Sequence, residues 1–126
     1  MTDDLFQKAL EQASNYAYDD FHKQGYKEMI HNAGSHFYIL SQEGKEKLAL
    51  VFSVFVEPNI KTVYEIRERD IQELADLIKK GYKVFCYHYN FDKELQRNQP
   101  IVRQVTLPSE MVSFFEENDV DIETKL

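Results

Sequence analysis

Residues 47–57 set the strictest condition on the fold. Leu48, Leu50, Phe52, Val54 and Val56 alternate with Ala49, Val51 and Phe55, so a strand here is apolar on both faces and needs packing against each. Ser53 alone interrupts the run. Its nine residues, Leu48 to Val56, fall far short of the roughly 20 that a membrane-spanning helix needs. The chain must therefore supply cover for a central strand from elements on either side.

Those elements are readable. Leu5, Phe6, Ala9, Leu10, Ala13, Tyr16, Ala17 and Phe21 recur at three- and four-residue steps between acidic positions, which predicts an amphipathic helix capped by Thr2 or Asp3 and stopped near Gly25. A helical turn is expected over residues 26–31. Aromatic and branched residues predict a strand over 36–41, joined by a Gly44 turn to the central strand, with a third strand over 62–66 after Pro58-Asn59. Asp70-Ile71-Gln72-Glu73 has the form of a capping box and opens a helix that Gly81 ends. Strands over 82–91 and 101–107 flank a polar loop at 92–99. Pro108 or Ser109 opens a last helix, with Met111, Val112, Phe114 and Phe115 inward and Asn118-Asp119 as its stop. The order αβββαββα with short connections predicts one α+β domain over residues 1–126. Its mostly antiparallel sheet of about five strands lies under an N-terminal, a middle and a C-terminal helix, with an acidic tail over 118–126.

Charge excludes some partners. The net of −7 sits at the two ends, with five acids against two bases in residues 1–25 and six against one in 108–126. The longest basic cluster is Lys79-Lys80 with Lys83 nearby, too little to neutralise a phosphate backbone, so no nucleic acid is expected as partner. One cysteine and no basic-then-apolar opening lead to the expectation of a cytoplasmic protein without disulfides.

Chemistry-bearing residues are sparse. Asp19 and His22 share a helical face, and His31 and His36 flank Gly34, but neither group supplies the three or four converging ligands a metal needs, so no metal is expected. Cys86 and His88 stand two apart on one strand face, roughly 6.5 to 7 Å from each other and beyond hydrogen bonding, which reads as a core thiol. Phosphate-cradling glycine motifs and nucleophile elbows are missing from the sequence, and no cofactor is expected.

One resemblance follows from element order and from Glu65-Ile66-Arg67 on the third strand. A helix, three strands, a helix and a strand over residues 1–91 resembles the core of restriction-endonuclease-like nucleases, which place an acid-x-Lys motif there. Arg67 stands where that motif has Lys, and the other acid on offer is Glu57, at the end of the second strand. If residues 58–60 form a hairpin loop, Glu57 pairs near Lys61 and Glu65 near Ser53, about 10 Å or more apart at about 3.4 Å per residue. That is too far to share a magnesium ion. The resemblance then implies a degenerate relative of the fold.

The most unusual segment is 82–91. Phe85, Tyr87, Tyr89 and Phe91 form an aromatic stripe on one face, while Val84, Cys86 and His88 line the other. Such a stripe serves as packing under a helix, as a protein interface, or as a planar-ligand pocket. Together with the doubly apolar central strand it points to a non-catalytic protein-binding or regulatory module of inhibitor or immunity type. The module would act as a homodimer or through one protein partner, with Phe85, Tyr87, Tyr89, Phe91 and His88 as binding residues. The alternative is a small-ligand sensor or small enzyme with a pocket between the sheet and helix one, using His88, Tyr87 and Glu65.

Overall fold

The computed structural model describes residues 2–57, 60–61, 63–96 and 99–125. Helix α1 (Thr2–Lys23) precedes strands β1 (Ile30–His31), β2 (Tyr38–Leu40), β3 (Leu48–Val56), β4 (Ile60–Lys61) and β5 (Val63–Arg67). Helix α2 (Glu68–Lys79), strands β6 (Lys83–Phe91) and β7 (Ile101–Val105), helix α3 (Pro108–Glu117) and strand β8 (Asp121–Lys125) complete the chain. The protein is an α+β domain whose main sheet runs β1-β2-β3-β6-β7, with β4 on β3 and antiparallel pairing everywhere except between β3 and β6.

That exception is the longest ladder in the molecule. β3 and β6 pair in parallel from Leu48↔Lys83 to Val56↔Phe91, because β4, β5 and α2 carry the chain across and back between them. Both are flanked on each side and covered on each face, which satisfies the demand that β3's two apolar faces impose. On one face α1 lays Ala9, Ala13 and Ala17, at most 1% exposed, over Leu50, Phe52, Val54, Tyr89 and Phe91. The alanines, four residues apart, form the narrow line of α1 that faces the sheet most directly, while larger side chains such as Leu10 and Tyr16 pack to its sides. On the opposite face Ala49, Val51, Val84, Cys86 and Val105 pack under Leu74 of α2 and Met111, Phe114 and Phe115 of α3.

All three helices end the same way. The N–H groups of Tyr26, Tyr82 and Val120 donate to the carbonyls of Phe21, Leu77 and Phe115, and those of Gly25, Gly81 and Asp119 donate to His22, Ile78 and Glu116. This is the Schellman arrangement, which needs a left-handed residue at its corner. Gly25 and Gly81 supply it at φ 98° and 93°, whereas α3 uses Asp119 at φ 58°.

Several expectations are revised. The turn expected over 26–31 is instead the short strand β1 at its end, paired with β2. Helix α2 starts at Glu68, and Asp70 lies in its first turn as a buried carboxylate that accepts the Arg67 N–H at 2.8 Å. The strand expected over 62–66 is preceded by a separate short one. Ile60–Lys61 stays on β3, Thr62 lies outside the described residues, and Val63–Arg67 leaves the main sheet. It pairs in parallel with β8, so the segment expected as an acidic tail is a strand over Asp121–Lys125. Tyr64 and Ile66 explain the departure, because both bury their side chains in the cluster beneath α3. The caps proposed at Thr2 and Asp3, the break at Pro58-Asn59 and part of the 92–99 loop fall outside the residues or side chains described.

Candidate functional site

The aromatic stripe separates into two halves. Tyr89 and Phe91 are buried under α1, stacked on each other at 5.5 Å and in ring contact with Tyr16 at 6.4 and 6.3 Å. Phe85 and Tyr87 lie at the margin of the helix and are half-buried. Tyr87 meets Phe52 at 5.5 Å and Tyr89 at 6.3 Å, so it caps an aromatic row that continues through Tyr38 to His31. Burial, and secondarily the Asp20 carboxylate, push its hydroxyl up to about 12, so it is neutral and a hydrogen-bond donor at neutral pH. Beside it opens a hollow of about 700 Å³ lined by Asp20, Phe21, Gln24, Tyr87, Pro100 and Val102.

His88 faces the other way. On the α3 side, opposite Ser53 in the register, it is 3% exposed and hydrogen-bonded through Nδ1 to Ser53 Oγ at 2.7 Å. Burial holds its pKa below the ordinary imidazole value, against the opposing pull of Asn90 and of Asp119. A serine hydrogen-bonded to a neutral imidazole has the parts of a nucleophile and its base. Here Ser53 is 0% exposed, inside the central ladder, and has no route to a substrate. Sequence reasoning left Ser53 without a partner; the signal was its place as the lone polar residue of β3, and the parallel register supplies what it faces.

Glu65, the third polar group expected at a pocket, lies on β5 in the second sheet and pairs with Arg67 at 2.8 Å. It does not converge with Tyr87 or His88, nor does it pair near Ser53 as a simple hairpin would require; β3 pairs instead with Lys61 and Ile60. Cys86 is buried and its thiol pushed up to about 12, the state of an inert core cysteine. His31 and His36 point to separate partners, the Ser35 carbonyl and the Glu65 carbonyl. Among the described residues no group of three or more His, Cys, Asp or Glu is placed to hold a metal ion, and no helix is long and apolar enough to cross a membrane.

The feature that sequence reasoning missed is the exposed edge that β7, itself expected as a strand, presents. β7 is the last strand of the main sheet, and its register with β6 sets Ile101 opposite His88 and Val102 opposite Tyr87, hence on opposite faces. Both are exposed, at 46% and 45%, and Leu107 just beyond is exposed at 57%. Three of the four most exposed large apolar side chains among the described residues therefore lie within seven positions of one edge. Edge strands commonly carry a free charge, a bulge or a cover that prevents pairing. The charge on β7, Arg103, is occupied by Glu117 at 2.6 Å and lies over the Phe114 ring. No family model, characterised protein or solved structure matches the chain.

Proposed function

We propose that the protein is a non-catalytic protein-binding module whose β7 edge takes up a strand from a partner. The observation that carries this reading is apolar exposure on both faces of one edge strand. A helix docked on either face would cover Ile101 or Val102 but not both, whereas a strand added in the plane of the sheet covers the two together. Tyr87 and Phe85, half-buried beside Val102, extend the surface on the α1 side, and the free buried thiol of Cys86 suits a cytoplasmic setting.

Selection of extended peptides from a random library against the folded protein, followed by amide mapping, tests the reading. Bound peptides should shift the amides of Ile101–Val105, and Val102→Lys should abolish them. Peptides that map elsewhere, or none at all, would overturn it.

A second reading rests on the hollow beside Tyr87, whose size suits a small molecule. It requires a metabolite that raises the melting temperature by linkage, and a thermal-shift screen of nucleotides, cofactors and metals without a hit would remove it.

A further inference from the structure

We infer that the strand received by β7 is the β7 of a second copy of this chain, paired antiparallel about a two-fold axis through Arg103. The inference rests on the reading of β7 as a strand-accepting edge and names its occupant.

Three observations favour self-pairing. The first is length. Pro100 and Pro108 bracket β7, so the ladder it can offer is confined to the few residues between them, and a strand with the same limits on both sides is a second β7. The second is charge. A two-fold axis through Arg103 sets the two guanidiniums opposite each other, which two free cations would resist. Each is already matched by its own Glu117 at 2.6 Å, so the four groups at the axis sum to zero.

The third observation is shape. In this register Ile101 of each copy faces Val105 of the other, and Val102 faces Gln104. Continued past the strand ends, it brings Leu107 of one copy opposite Gln99 of the other, diagonally beside Ile101 on the same face of the joined sheet. Two of the exposed large apolar side chains, Ile101 and Leu107, thus cover one another across the axis. The contact is isologous and closes on itself, so no β7 edge is left for a third copy. The opposite edge of the sheet, β1, is two residues long and too short for a comparable ladder.

Sedimentation velocity across a concentration series tests the inference, with the wild type compared with Leu107→Asp and Val102→Lys. Both positions are exposed, so both variants should fold, which thermal melts verify. A dimer of twice the 15.0 kDa chain is expected. Each substitution should raise its dissociation constant at least about tenfold, and the amides of Ile101–Val105 should exchange more slowly in the dimer than on dilution.

Ionic strength adds a sign. Two copies of net charge −7 repel. Raising salt from about 0.01 M to about 0.1 M shortens the screening length from about 30 Å to about 10 Å, so it should tighten the dimer. A basic peptide bound at the same edge would weaken over that range.

A monomer at every concentration that still binds library peptides on β7 overturns the self-pairing and leaves the strand-accepting edge. A monomer that binds none overturns both. A dimer indifferent to both substitutions, or species growing past the dimer through β7 on β1, overturns the two-fold.

Discussion

Asp119 carries a conformation that the other two helix ends assign to glycine. A left-handed backbone costs a residue with a Cβ roughly 1 kcal/mol, and Gly25 and Gly81 avoid that cost at the equivalent corners. Asp119→Gly should therefore stabilise the protein by about 0.5–1 kcal/mol, read as a raised denaturation midpoint, while Gly81→Ala should destabilise it by a similar amount. A drop in stability for Asp119→Gly would show that the aspartate's charge near His88 outweighs its backbone strain. His88 sets a pH dependence of its own. Its folded pKa lies below the unfolded value near 6.5, so the unfolded chain binds the extra proton first, and stability is lost as pH falls from about 7 through that value towards the folded one. Denaturant midpoints at pH 7.5 and 5.5 should differ, and His88→Asn should shrink the difference; an unchanged difference would assign it to the carboxylates. The helix stops at Gly25, Gly81 and Asp119 were legible in the sequence because they depend on local chemistry. The Ser53–His88 pair was not, because a register between strands 35 residues apart is written nowhere in either segment.

Elements were legible where their periodicity was long. The alanine and aromatic spacing of α1 predicts both its existence and the face it buries, and the structure adds how close the contact is. Ala13, at 0% exposure against the sheet, has no room for a larger side chain. Ala13→Leu should destabilise by about 1–3 kcal/mol despite leucine's good helix propensity, whereas the same change at an exposed α1 position such as Asn15 should be nearly neutral. Thermal melts of the two variants would decide, and equal effects would show that α1 rests loosely. β5 and β8 were harder to read. Alternation at Val63–Arg67 predicts a strand but not its neighbour, and the Tyr64 and Ile66 side chains, buried below α3, take it off the main sheet. Val120 and Ile122 among acidic residues have the alternation of a strand, but the surrounding charge reads as a solvated tail. The aromatic stripe was read as one surface. It is two, because α1 is long enough to roof Tyr89 and Phe91 but leaves Phe85 and Tyr87 at its margin.

At the scale of the whole molecule, the parallel pair joins distant parts of the chain. Lys47 and Lys83 meet at the amino ends of β3 and β6, where the Lys83 N–H donates to the Lys47 carbonyl, with Lys45 and Lys79-Lys80 close by in sequence. The carboxyl ends meet Asn118 and Asp119 beyond α3. The ladder between those ends joins residues 35 apart, from Leu48↔Lys83 onward, so most of the sheet's order is non-local. Mixed topologies of this kind fold more slowly than helical bundles, and refolding should be a millisecond-to-second process in stopped-flow fluorescence from the Tyr side chains rather than a microsecond one. A microsecond phase carrying the full amplitude would mean that β3 finds its place without β6. The same crossover bears on synthesis. β3 emerges from the ribosome with both faces apolar and must wait for about 35 more residues before β6 exists to pair with it, which at about 5–20 residues per second is about 2–7 s. For that interval, with α1 and β2 already made, the nascent chain still holds one face and one edge of its most apolar strand uncovered, so the step at which this protein is most open to aggregation precedes the completion of its fold.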